Sequence, residues 1–224
     1  MSQENIADAS KPNAGRMYDY YLGGSHNFEV DRQAAEQMLK LMPYGSKYTR
    51  LQRWALQDIA IELSQKQGYN VIVDFASGLP TQDHIHYNVP NDTTVIYSDY
   101  DPITVEYAHE ILGDTPNVYY FKANAIRPNE LFENDKITSI NRTKKVAYVL
   151  WGVSGFLEEN DIKNIMKYLY ERSETNSCLV FNAQTLNPES PAVKQVAELY
   201  SKLGSSIYPR TIENYEALIK TMET

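Results

Sequence analysis

The sequence has 224 residues, a formal net charge of −8, 42% hydrophobic and 22% charged residues, which fits a soluble globular protein with a sizeable core. No long basic run is present, which argues against broad binding of nucleic acid through its phosphates, and no stretch reaches the ~18 apolar residues of a membrane span. The one cysteine, Cys178, leaves no internal disulfide, and the first residues lack a basic end followed by an apolar core, so no signal peptide and a reducing cytoplasm are expected.

Along the chain, residues 1–11 are polar and are expected to be disordered. Residues 12–30 carry glycine, tyrosine and asparagine without a clear period and read as an ordered loop or short helix. Helices are expected at 31–42 and 47–67, the second with Trp54, Leu56, Ile59, Ile61 and Leu63 as its apolar positions. Strands and helices then alternate: strand 70–75, helix near 81–88, strand 94–98, helix 102–113 and strand 118–122. A helix or loop covers 128–141, followed by strand 145–150, helix 158–173 and strand 177–183. Such alternation predicts a parallel sheet with helices on both faces. Right-handed crossovers with a reversal after the third strand give the order 3-2-1-4-5. Two more helical patterns follow, at 188–204 and 211–222, with no linker to divide the chain.

The first strand ends in a carboxylate and a small-residue turn, Asp74-Phe75-Ala76-Ser77-Gly78-Leu79-Pro80-Thr81, and the next closes on Asp99-Tyr100-Asp101-Pro102. This is the half-site of α/β nucleotide folds: the turn lets a ligand approach the backbone, and the helix start offers N–H groups to an anion. Asp99 follows Gly78 at a spacing suited to ribose hydroxyls. A dinucleotide turn wants G-x-G-x-x-G, whereas these positions are Ala76, Gly78 and Thr81, so a nicotinamide or flavin oxidoreductase fits poorly. Asp74 suits a ligand ammonium while the turn N–H groups face a carboxylate. S-adenosyl-L-methionine has both groups, plus a ribose for Asp99. Plainer readings stand beside these. Asp74 or Asp101 can be a helix cap, the latter before a proline at the first helical position. Gly23-Gly24 can be a turn, and Trp151 and Cys178 can be core residues. The His84-Ile85-His86 spacing suits a metal but has no third ligand nearby in sequence, so no metal is expected.

These two strand–turn motifs resemble the first two of class I S-adenosylmethionine-dependent methyltransferases. The stretch Pro12-Asn13-Ala14-Gly15-Arg16-Met17-Tyr18-Asp19-Tyr20-Tyr21-Leu22-Gly23-Gly24-Ser25-His26-Asn27-Phe28 is more specific. With Asp31-Arg32-Gln33-Ala34-Ala35 and Val146-Ala147-Tyr148-Val149-Leu150-Trp151-Gly152-Val153, it resembles a bacterial family known simply as S-adenosyl methyltransferase, formerly a domain of unknown function. The resemblance runs from about Pro12 to beyond Glu213. It implies a Rossmann-like class I fold over 12–224, with 12–67 as N-terminal lid and helices, and S-adenosyl-L-methionine as cofactor. It also implies roles: Asp74, Ala76 and Gly78 at the methionyl end, Asp99 on the ribose, Tyr100 on the adenine, and Asn124 and Ala125 at the adenine edge. Trp151 and Gly152 would lie under the sulfur. Arg16, Tyr18, Asp19, Gly23, Gly24 and Asn27 would form the lid, with Arg16 pairing the cofactor carboxylate.

Four positions depart from the family pattern. Ala76 stands for a usual glycine, Asn124 for an acid, Ser25-His26 for Lys-Asp, and Gly155 for a histidine. The C-terminal antiparallel hairpin of class I enzymes has no counterpart, which leaves the fifth strand as an exposed edge suited to a homodimer. The expected function is methyl transfer to an unidentified small-molecule acceptor, with no nucleic acid or membrane partner and no catalytic base assigned. The alternative is an inactive methyltransferase-fold protein acting by cofactor or protein binding.

Overall fold

Val71–Phe75, Thr94–Asp99 and Val146–Leu150 are apolar runs buried at every position, as strands covered on both faces must be. In the computed structural model, which describes residues 10–81, 83–135, 137, 138 and 145–220, these runs are β1, β2 and β4. With β3 (Val118–Lys122) and β5 (Cys178–Phe181) they form a five-stranded sheet of order β3-β2-β1-β4-β5. Every neighbouring pair is parallel. Val71 lies opposite both Thr94 and Val146, so the carboxyl ends of the three central strands come level at Phe75, Ser98 and Leu150. The loops that leave those ends therefore share one side of the sheet. Among the described residues no strand lies beyond β5; a lone parallel bridge joins Thr185 to Arg210.

The helices are α1 (Ala14–Leu22), α2 (Glu29–Leu41), α3 (Gly45–Ile61, continued by a π turn over Glu62–Lys66), α4 (Pro102–Leu112) and α5 (Asn129–Phe132). Three more follow: α6 (Glu159–Arg172), α7 (Pro191–Lys202) and α8 (Ile212–Lys220). The period of two along β1 sorts them into layers. Val71, Val73 and Phe75 face Ile162, Ile165 and Leu169 of α6 and Leu218 of α8. Ile72 faces the other way, into a core with Leu56 and Ala60 of α3 and Ala108 and Leu112 of α4. A third cluster lies apart from the sheet, where Met17, Ala34, Ala35 and Met38 meet Val196. That cluster makes α1, α2 and α7 into a cap built from helices that precede and follow the strands.

Of the two readings of 12–30, the short helix forms: Asn13 Oδ1 accepts from the N–H groups of Gly15 and Arg16, and Gly23 ends it at φ 87°. Other expectations change. Near 81–88 only a single 3₁₀ turn forms, Ile85–Tyr87. Too short to sustain an α-helix, it is held by side chains, with His84 Nδ1 accepting from Ile85 N and Asn88 donating to His84 O. Trp54 is 57% exposed, so it is not a core position of α3. Expectations for residues 1–9, 82, 136, 139–144 and 221–224 lie outside the described residues. No helix among the described residues is long and apolar enough to cross a membrane.

Candidate cofactor-binding site

Between the cap and the carboxyl ends of the strands lies a cavity of about 510 Å³. Asp74, Ala76, Gly78, Asp99, Tyr100, Asn124, Ala125 and Trp151 all stand on its wall. Each comes from the last two residues of a strand or from the loop after it, which is where parallel α/β sheets place ligands.

The turn after β1 is shaped by backbone that swings left-handed twice, at Ala76 (φ 52°) and Gly78 (φ 64°). Glycine takes that conformation freely, while an alanine is strained by its Cβ. The swing turns the Gly78 N–H onto Asp99 Oδ2, 3.1 Å away, and Asp99 Oδ1 accepts the N–H of Asp101 at 3.0 Å. Each carboxylate oxygen keeps a second lone pair for a ligand. Burial raises the Asp99 pKa to about 6, against the pull of the N–H groups of Asp101 and Gly78. Asn124 Oδ1 is partly engaged, accepting from Ile126 N at 3.2 Å. Trp151 donates from Nε1 to the Gln52 carbonyl, 3.1 Å away, which fixes its indole against α3.

Asp74 sits on the same side of β1 as Ile72, the side that α3 covers. Continuing the buried stripe of α3 from Leu56 toward its N-terminus places Arg53, Gln52 and Thr49 inside, level with that carboxylate. Arg53 is 4% exposed, and its Nε and Nη1 have no hydrogen-bond partner; Asp74 Oδ1 has none either. Both residues line the cavity. His84 Nε2 is 3.9 Å from Asp74 Oδ2, beyond hydrogen bonding. Burial and the Arg53 charge push the His84 pKa well down, so it is neutral, its Nδ1 accepting from Ile85 N and its Nε2 facing Ser77 O. Burial raises the Asp74 pKa to about 7, opposed by Ser77 and Arg53 and reinforced by Asp99. A buried cation and a buried carboxylate, each short of partners, face one space. A ligand carrying both a carboxylate and an ammonium satisfies both.

Arg16, Gly23 and Gly24 are not on the cavity wall. The Arg16 guanidinium is committed elsewhere: Nε to Asp31 at 2.8 Å, Nη1 to Asp101 at 3.1 Å, and Nη2 to the Lys11 carbonyl. It pins the start of α1 to α2 and α4 and has no free edge for a cofactor carboxylate. Gly23 caps α1. Gly24 leaves room for the Asp19 carboxylate, which any Cβ there would strike. Asp19 Oδ2 in turn holds His26 N and Asn27 Nδ2. Of the expected lid residues Tyr18 is on the cavity, together with Asn13, Ala14, Gly15 and Tyr21. Arg53 and Gln52, absent from the sequence reading, join them, as does His84, which that reading weighs only as a metal ligand. Among the described residues no group of His, Cys, Asp and Glu gathers as a metal site.

The fold is shared with solved structures. A protein of the DUF574 family from Streptomyces avermitilis is 23% identical with a TM-score of 0.87, over 95% of this chain and 84% of that one. A proposed methyltransferase from Thermobifida fusca is 25% identical with a TM-score of 0.84, over 98% and 84%. Human N-acetylserotonin methyltransferase, solved with S-adenosylmethionine, is 11% identical with a TM-score of 0.50, over 97% and 59%. No curated protein matches the sequence. The family model for S-adenosyl methyltransferase matches residues 1–224, so the chain belongs to that family and uses S-adenosylmethionine as its methyl donor.

Proposed function

We propose that the chain methylates a small molecule held between the cap and the sheet, with the methionyl end of the cofactor on Arg53 and Asp74. One observation supports this reading: a buried guanidinium whose Nε and Nη1 lack a hydrogen-bond partner and a buried carboxylate whose Oδ1 lacks one line the same cavity. Leaving either charge alone in the interior costs several kcal/mol, so the pair is a site preorganised for a zwitterion. Arg53 Nε and Nη1 are both donors for a ligand carboxylate, each through a single charge-assisted hydrogen bond. Asp74 accepts the ammonium, and the free lone pairs of Asp99 accept ribose hydroxyls. Tyr100, 57% exposed at the rim, offers a ring to the adenine. When bound, the cofactor supplies an electrophilic methyl group on a sulfonium. The protein aligns the acceptor with it and keeps water out beneath Tyr18 and Tyr21. Calorimetric titration with S-adenosylmethionine and S-adenosylhomocysteine tests the reading. Micromolar binding of both is expected; a folded sample that binds neither overturns it.

A further inference from the structure

Helix α3 has a second face. Its inner stripe of Thr49, Gln52, Arg53 and Leu56 lines the cavity, yet its outer stripe is not the polar one expected of a surface helix. Tyr44, just before α3, is 74% exposed, Leu51 59%, Trp54 57% and Tyr48 47%. Steps of four and three residues put these four on one side of about three turns. They are four of the ten large hydrophobic side chains exposed among the described residues, so they form a patch rather than scatter. Lys47 and Arg50 are exposed on the same stretch, with the Lys47 ammonium 5.8 Å from the centre of the Tyr44 ring. None of the 29 Asp and Glu falls between Glu36 and Asp58, so the patch is basic in a chain of net charge −8. We infer that this face of α3 docks on a membrane surface rich in anionic lipid. A surface contact needs no spanning helix, so it departs from the sequence expectation of no membrane partner by a route that the lack of a span does not address.

Charge and side-chain type choose the occupant. Tyrosine and tryptophan carry an apolar ring with a polar tip, which suits the boundary between headgroups and acyl chains. Lysine and arginine lay their stems along apolar surface and keep their charge among lipid phosphates. A second copy of this chain fits poorly, because a two-fold contact through this face sets Lys47 and Arg50 beside their own equivalents. A protein partner fits less well than lipid, since lysine is depleted from protein interfaces. The acids elsewhere do not cancel the patch, because at about 0.1 M salt a surface charge is screened within ~10 Å. Asp58, one turn beyond Trp54, closes the patch at its far end. At the near end Tyr48 is both half-exposed and on the cavity wall, where Met42 and Gly45 join it. A docked protein therefore turns that flank of the cavity toward the bilayer. The contact does not depend on the cofactor reading above.

The test sediments the full chain with vesicles of phosphatidylcholine alone, or of phosphatidylcholine and phosphatidylglycerol in equal parts, at about 0.1 M salt. Partitioning into the anionic vesicles is expected to be roughly tenfold tighter or more, with a blue shift of tryptophan emission that Trp54→Phe removes. Lys47→Glu with Arg50→Glu is expected to weaken that partitioning by about tenfold or more, and Leu51→Ser with Trp54→Ser to weaken it likewise. None of these four residues is on the cavity wall, so circular dichroism and S-adenosylhomocysteine binding of both double variants should match the parent chain. No uptake by anionic vesicles overturns the inference, as does equal uptake by both kinds or uptake that survives either double variant. A dimer in sedimentation velocity that forms without lipid and is lost in Leu51→Ser with Trp54→Ser also overturns it, and makes the face a contact between copies. S-adenosylhomocysteine binding is read separately, so a failure here leaves the cofactor reading standing and a failure there leaves this one.

Discussion

Arg53 and Asp74 put opposite demands on stability and binding, and that opposition can be measured. Arg53→Met removes a buried cation whose Nε and Nη1 lack partners, so the cofactor-free protein is expected to gain stability in urea. Cofactor affinity should fall by about 1.5–3 kcal/mol, the range for a lost charge-assisted hydrogen bond. A loss of both would mean that Arg53 is a structural residue. Asp99→Ala is expected to weaken binding by the same ~1.5–3 kcal/mol; unchanged affinity would remove the ribose assignment. The pH dependence has a definite sign. Asp74 at about 7 and Asp99 at about 6 are both raised above 3.8, so folding favours their neutral forms. The stability they contribute to the empty protein is full below about pH 4 and is lost as pH rises through their folded values. Binding runs the other way, because an ammonium and hydroxyl donors favour the ionised carboxylates. Cofactor affinity should therefore climb between about pH 5.5 and 7.5, and a flat profile by calorimetry would contradict that. At this scale Asp74, Gly78 and Asp99 were legible, since strand ends and turns are local in sequence. Arg53 was not, because a lone arginine in a helix looks like an exposed one. The signal that could have found it is the stripe Leu56, Ala60 and Leu63, extended back by one turn.

Among the elements, α1 shows why a motif can mark the right helix and the wrong face. Its Asn13, Ala14, Gly15, Tyr18 and Tyr21 line the cavity, while Arg16 and Asp19 are turned into contacts with other parts of the cap. The stretch reads as a loop or a short helix, and it carries its own cap in Asn13, but not the face that turns inward. That orientation comes from Asp31 and Asp101, which lie well downstream in sequence. Arg16→Ala leaves the Asp31 carboxylate without its main partner in a fully buried place. A loss of about 3–5 kcal/mol is expected in urea unfolding, and a loss below about 1 kcal/mol would mean that the clamp is not structural. The turn after β1 carries a smaller strain. Ala76 holds φ 52°, so Ala76→Gly is expected to stabilise the chain by about 0.5–1 kcal/mol, read as a higher melting temperature.

For the whole molecule, the sheet order was legible because alternating runs of strand and helix length leave few right-handed arrangements. The second half of the cap was not. Helix α7 is amphipathic in sequence, but nothing local says that Val196 and Leu199 turn toward the cap or that Val196 shares a cluster with Met38. Because helices from before and after the strands close one cavity, a ligand there should steady both. S-adenosylhomocysteine at a hundred times its Kd is expected to add about 2.7 kcal/mol, or roughly 5–10 °C in melting temperature. Hydrogen exchange should slow in α1 and in α7 together, and slowing confined to α1 would mean that α7 is not part of the closure. The same arrangement sets an order of events during translation. Helices α1 and α2 leave the ribosome with Met17, Ala35 and Met38 uncovered, and Val196 emerges only after all five strands have been made. The nascent chain thus passes through a stage with a complete sheet and an open, greasy cleft, and α7, made after the sheet, decides what is shut inside.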